Sequence, residues 1–216
     1  MTCVPGTSLR HTVSKCSLPL HAETKPRSHC ASAISPVTPQ ARTIVLETDR
    51  LVLRHFTTDD AGFILELVND PSFIANIGDR GIRTRDDAVA YLLNGPIASY
   101  ERHGHGLYLV TLKTTSVPIG ICGLLKRIQF EDVDLGYAFL PDFWYQGFAT
   151  ESATAMLEFA RTTLKASRTL ALVSPDNVRS IKLLEKVGFS FIELRQMKPE
   201  GLPTAIYAYP PESPRA

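Results

Sequence analysis

The feature that most constrains this chain is the place where an apolar, strand-like run ends and a helix-forming run begins. Val133–Leu140 reads as a strand, Pro141 ends it, and Gly147-Phe148-Ala149-Thr150-Glu151 opens a helix whose apolar positions include Ala153, Met156, Leu157 and Ala160. The first N–H groups of a helix have no intrahelical acceptor, and the helix dipole favours an anion beside them. Gly147 carries no side chain and Ala149 only a methyl, so a pyrophosphate can approach the main chain of Gly147, Phe148, Ala149 and Thr150. An ordinary strand-to-helix loop has the same appearance, so the turn needs a second signal.

That signal is Asn177-Val178-Arg179-Ser180-Ile181-Lys182-Leu183-Leu184-Glu185-Lys186-Val187-Gly188-Phe189. Asn177 suits a helix N-cap, Gly188 suits the position just past the helix end, and Phe189 starts a strand. With Gly136-Tyr137, Pro141 and Trp144, the two segments in this order resemble the GNAT (Gcn5-related) N-acetyltransferases, most closely their RimJ/RimL branch, over roughly residues 46–209. In the wider superfamily a Gln or Arg commonly stands three residues before the first glycine of the phosphate turn. Trp144 stands there in this chain, and Gln146 adjoins Gly147 as a further donor.

The resemblance implies an α+β fold: a mostly antiparallel sheet of six to seven strands flanked by about four helices and splayed at a cofactor groove. It implies acetyl-CoA as co-substrate and no metal. Pantetheine would lie between the strand 134–140 and the strand 169–173, against main-chain groups of Phe139 and Leu140. Asn177 would hold the pantetheine arm, and Ser180 would stand near the sulfur as hydrogen-bond donor or proton source. Residues three apart share one helix face, so Asn177 and Ser180 can point together. As plain sequence they are equally an N-cap and a first-turn residue.

Other candidates come from the residues themselves. Asp134 and Glu151 are the carboxylates placed to act as a base, Asp134 at the start of the strand leading to the thioester and Glu151 in the first turn after the phosphate site. Asp134 also reads as a solvated strand residue, and Glu151 as a helix N-terminal stabiliser. His103 and His105 flank Gly104 as a surface loop or proton relay, and two histidines without a third ligand seldom hold a metal. Arg80, Arg83 and Arg85 read as a solvated basic face, or, as the resemblance implies for the segment between the first helices, as one that steers an acidic acceptor. An α-amine of pKa near ~7.8 is partly neutral at pH 7, whereas a lysine near ~10.4 is almost never so, and the absence of an obvious buried base leans towards the α-amine.

Composition sets the boundaries. The 216 residues, 44% hydrophobic, suffice for one domain with a core. Residues 1–42 hold five prolines, many Ser and Thr, and five basic residues against Glu23 alone, and read as a disordered basic extension. The acetyltransferase-like domain spans 43–210, and 211–216 form a tail. The rest of the chain carries 18 basic and 21 acidic residues, which argues against nucleic acid as a general partner. No apolar run approaches the ~20 residues of a membrane span. Cys3, Cys16, Cys30 and Cys122 form no Cys-x-x-Cys pair, as suits a reducing compartment. The expected location is the cytoplasm, or the mitochondrion if residues 1–42 are a transit segment.

Helices are expected over residues 61–69, stopped at Pro71, and over 86–102, with Gly95-Pro96 breaking or kinking the second. The resemblance implies an N-acetyltransferase that moves an acetyl group directly, in a ternary complex, to a primary amine on a small molecule or a protein N-terminus. The protein would act as a monomer or homodimer. The alternative is a catalytically silent acyl-CoA-binding regulator.

Overall fold

Alternating apolar residues and short turns build one eight-stranded sheet in the computed structural model, which describes residues 42–197 and 203–210. The strands are β1 (Ile44–Glu47), β2 (Leu51–Arg54), β3 (Leu107–Leu112), β4 (Pro118–Lys126), β5 (Val133–Phe139), β6 (Thr169–Val173), β7 (Ser190–Arg195) and β8 (Thr204–Tyr209). Their spatial order is β1-β2-β3-β4-β5-β6-β8-β7, and every pairing is antiparallel except β5 with β6. Parallel neighbours need a long crossover, here built around the helix α5 (Phe148–Thr162). The expectations for the N-terminal extension and the 211–216 tail lie outside the described residues.

The α+β, mostly antiparallel architecture is the one expected, with eight strands rather than six to seven. Thr48 makes the first two strands distinct: its N–H donates to the Leu51 carbonyl (2.9 Å) and its hydroxyl accepts from the Leu51 N–H (3.0 Å), closing a tight turn. The described residues hold six α-helices rather than about four. Besides α5 these are α1 (Ala61–Asn69), α2 (Pro71–Ile77), α3 (Arg85–Leu92), α4 (Ala98–His103) and α6 (Val178–Lys186). Pro71 ends α1 and also opens α2. Its missing N–H costs nothing at the first helical position, and the Asp70 carboxylate caps the Ser72 N–H at 2.8 Å. The single helix expected over 86–102 is divided by a wide π-helical turn, Leu93–Ile97, which accommodates Pro96 and its absent donor.

One face of the sheet packs on α5 through Ala153, Met156, Leu157 and Ala160, against Val110, Cys122, Leu124 and Leu135. The other face packs on α1 and α3 through Phe63, Ile64, Leu67, Ala88 and Leu92, against Leu109 and Ile121. The joint between β2 and α1 is held by Arg54, whose Nη1 and Nη2 grip both oxygens of Asp60 at 2.9 and 2.8 Å. Burial alone would raise the Asp60 pKa, but the Arg54 guanidinium and the Thr57 N–H outweigh it and hold the carboxyl below its ordinary value. A carboxylate with a lowered folded pKa stabilises fully above the unfolded value, ~3.9, and that share is lost as pH falls through the folded one. Asp60→Asn should therefore cost about 3 kcal/mol at pH 7. In urea titrations its deficit against wild type should shrink below about pH 4. A deficit independent of pH would remove the ion pair from this account.

Candidate active site

Strands β5 and β6 pair only at Val133–Thr169 and Asp134–Leu170, whereas β5 stays in register with β4 as far as Phe139. Beyond Asp134 the two strands part. Side chains alternate along β5, so Leu135, Tyr137 and Phe139 face α5, and Asp134, Gly136 and Ala138 face the α1–α4 side. A cavity of about 580 Å³ occupies the opening and reaches both faces. Tyr137, Phe139, Asn177 and Ser180 line one side of it, and Phe73, Tyr91, Pro96 and Asp134 the other.

The glycine turn lies at the far end of β5. Gly147 has φ +83°, a left-handed conformation that glycine tolerates, and it stands directly before α5. No side chain caps this helix, and the first helical bond of the turn is Glu151 N–H to the Gly147 carbonyl, at 2.9 Å. The N–H groups of Phe148, Ala149 and Thr150 are thus the unpaired donors of a helix start. Gln146 spends its side-chain amide on the Asp142 carbonyl (2.9 Å) within the turn itself.

Arg50, from the β1–β2 turn, holds this end together. Its Nη1 donates to the Gln146 carbonyl (3.0 Å), its Nε to Glu151 (2.7 Å), and its guanidinium lies 4.5 Å from the Phe148 ring centre. The other Glu151 oxygen accepts from the Thr48 hydroxyl at 2.5 Å and the Arg50 N–H at 3.0 Å. Burial would raise the Glu151 pKa, but these donors bring it below the ordinary carboxylate value. Both oxygens are occupied and ionised. Sequence reasoning missed Arg50, which stands 101 residues from Glu151 and belongs to no local pattern.

Asn177 caps α6, its Oδ1 accepting from the Ser180 N–H at 3.1 Å. Ser180 Oγ lies 2.6 Å from the Tyr137 hydroxyl. Burial pushes the Tyr137 pKa up to about 12, so the phenol keeps its proton at neutral pH and can donate to Ser180. In the sequence Tyr137 stands only as part of the Gly136-Tyr137 motif. Its role emerges from β5 and α6 meeting across the gap, and Gly136-Tyr137 was the signal that could have found it.

At Phe139 and Leu140 the main-chain groups divide. The Leu140 N–H is committed to the Ile119 carbonyl at 3.0 Å, and the Phe139 carbonyl accepts from the Trp144 indole N–H at 2.8 Å. The Leu140 N–H thus belongs to the sheet, and the Leu140 carbonyl accepts from the Phe143 N–H at 3.0 Å. Alternation in the antiparallel ladder turns the main chain of Tyr137 and Phe139 away from β4 and into the opening. Trp144 in turn carries the Arg179 guanidinium 3.6 Å from its ring centre.

Asp134 is 1% exposed rather than solvated, and its Oδ1 accepts from Arg127 Nε at 2.8 Å. Burial raises its pKa above the ordinary carboxylate value, and Arg127 offsets only part of the shift. His105 is buried, with Nδ1–H donated to the Leu124 carbonyl (3.0 Å), and burial lowers its pKa, so the ring is neutral at pH 7. His103 and Arg80 line the cavity, while Arg83 pairs with Asp79 at 2.5 Å. Among the described residues no group of three or more His, Cys, Asp or Glu side chains is arranged to hold a metal ion. No helix among them is long and apolar enough to cross a membrane.

The family described as an acetyltransferase (GNAT) domain matches residues 50–190. The uncharacterised N-acetyltransferase YoaA of Bacillus subtilis (strain 168) is 29% identical over 146 residues, 67% of this chain and 82% of its own. Among solved structures, an acetyltransferase from Agrobacterium tumefaciens str. C58 superposes with a TM-score of 0.66 at 25% identity, covering 76% of this chain and 92% of that one. The RimL ribosomal L7/L12 α-N-protein acetyltransferase, in complex with coenzyme A, reaches a TM-score of 0.66 over 76% of this chain and 96% of its own. At 18% identity that last likeness is one of fold.

Proposed function

The chain belongs to the GNAT acetyltransferase family, and on that premise we propose that it moves an acetyl group from acetyl-CoA to a primary amine by direct transfer. The observation that carries this reading is the opening between β5 and β6, with the Tyr137–Ser180 hydroxyl pair at its wall and the bare start of α5 at its end. The site suits the co-substrate: side-chain-free Gly147 and three unpaired N–H groups suit a pyrophosphate, and the outward main chain of Tyr137 with the Phe139 N–H suits the amides of pantetheine. Acetyl-CoA supplies the activated acyl group as a thioester.

Each residue then has a task. An N–H of β5 directed into the opening polarises the thioester carbonyl, and electrostatic help of that kind is worth a few kcal/mol. Asp134, on the opposite face, attracts the amine and takes its proton, a role that its raised pKa suits. Ser180, oriented by Tyr137, donates to the sulfur as the C–S bond breaks. A thiol of pKa near ~8.5 leaves partly as thiolate at neutral pH, so a hydrogen bond there does most of what a full proton transfer would. Asn177 orients Ser180 through its cap. Glu151 belongs to the Arg50 clasp that fixes the phosphate turn and acts as a positioning residue.

Direct transfer is favoured over a covalent acyl-cysteine. Cys122, the cysteine among the described residues, is fully buried and its thiol pKa is pushed up to about 12. A thiol so strongly protonated is a poor nucleophile.

Calorimetric titration with acetyl-CoA, followed by free-thiol release over a panel of α-amino peptides, small amines and polyamines, tests the proposal. Binding with release on one amine class is the expected result. Binding without release on any amine would favour the acyl-CoA-binding regulator, and no binding would end both readings.

A further inference from the structure

The charges around the cavity are one-sided. Among the described residues, five cationic side chains line it, Arg80, Arg102, Lys126, Arg127 and Arg179, against a single carboxylate, Asp134. Arg179 stacks on Trp144 beside the phosphate turn and belongs to the cofactor end. The other four do not. Arg127 pairs with Asp134, which is five residues, roughly 17 Å of extended chain, before Phe139 at the end of β5 nearer the phosphate turn. Arg80 follows α2, and Arg102 is in the last turn of α4, on the helical side of the sheet. Lys126 hydrogen-bonds the Phe130 and Glu131 carbonyls and pairs with no carboxylate among the described residues. Neither Arg80 nor Arg102 has an acidic partner among the described residues, although Arg83 and Arg168 both have one.

Cofactor phosphates do not account for this second group. Side chains alternate across β5, so the thioester arm enters along the Tyr137 and Phe139 side, and Asp134, Gly136 and Ala138 face the other. Gly136 adds no side chain to that face, and Leu125 packs over it: a Cβ there would meet Leu125 Cδ1 at 2.6 Å. The amine must arrive through this face, past a cationic rim, to reach a single buried carboxylate. A rim of one sign repels a like-charged ligand and concentrates an opposite one.

We propose that the acceptor is a small amine that also carries an anionic group, a carboxylate or phosphate, which Arg80 and Arg102 receive while the amine meets Asp134. This inference rests on the transferase reading and specifies its substrate class. The size of the cavity, about 580 Å³ with the thioester arm taking part of it, suits a small molecule. Polyamines and aminoglycosides are disfavoured, because every added positive charge faces the same rim.

Matched pairs decide the question: phosphoethanolamine against ethanolamine, and β-alanine against β-alaninamide, with spermidine and an acidic peptide with a free N-terminus as further arms. Thiol release should show at least about a tenfold advantage in kcat/KM for the anionic member of one pair, and which pair responds separates phosphate from carboxylate. That advantage should shrink towards unity in Arg80→Gln/Arg102→Gln and decline with added salt, as screening requires. Preference for the neutral members or spermidine would overturn the inference, as would turnover of the acidic peptide alone. If no amine releases thiol, the transferase reading fails separately, and calorimetry of the same pairs on the CoA-saturated protein decides the charge question. Tighter binding of an anionic member, lost in the double variant, would uphold it. Equal binding or none would sink it.

Discussion

Gly147→Val is expected to weaken acetyl-CoA binding by at least about a hundredfold, some 2.7 kcal/mol, without unfolding the protein. Two effects add. At φ +83° a β-branched residue is strained by about 1–2 kcal/mol. Its side chain also occupies the ground in front of the α5 N–H groups, where the pyrophosphate would approach. A Cβ at position 147 would lie 3.3 Å from Arg50 Nη2, so the guanidinium that secures the Gln146 carbonyl must shift as well. Strain alone lowers the melting temperature by a few degrees, and denaturation measures it separately from calorimetric affinity. An affinity within threefold of wild type, in a variant that melts a few degrees early, would remove the turn from the cofactor site.

The second large effect concerns the hydroxyl pair. Ser180→Ala should lower kcat roughly a hundredfold with little change in acetyl-CoA affinity, because the donor it removes acts when charge develops on sulfur. Tyr137→Phe should cost about tenfold, since Ser180 keeps its hydroxyl and loses the partner that orients it. The double variant is the sharper test. If Tyr137 works through Ser180, it should be no slower than Ser180→Ala alone, and multiplied losses would mean two independent roles. Affinity falling in parallel with rate would instead assign Ser180 to holding the cofactor.

Much of this was legible in the sequence because it is local. The glycine turn and the Asn177 cap are each written within a few consecutive residues. What sequence reasoning missed is written across the chain. Arg50 closes on Glu151 over 101 positions, and Tyr137 meets Ser180 over 43. Asp134 looked like a strand residue open to water until β6 was laid beside it, which buries it and leaves Arg127 as its counter-charge. Pro71 was ambiguous for a different reason: proline ends one helix and begins another by the same absent N–H, and only Asp70 turning out to cap Ser72 decides between them.

The short pairing of β5 with β6 has a consequence for how the protein is held together. Two register pairs are all that join five strands on one side of the sheet to three on the other, apart from what the helices contribute. The main-chain groups that would have completed the seam are left for a ligand, so a bound pantetheine would act as the missing rungs of a ladder. An acyl donor bound there would then also be a cross-brace, and its affinity would include whatever the two halves gain by being tied. For such a protein, starvation for the donor would loosen the architecture as well as stop the chemistry.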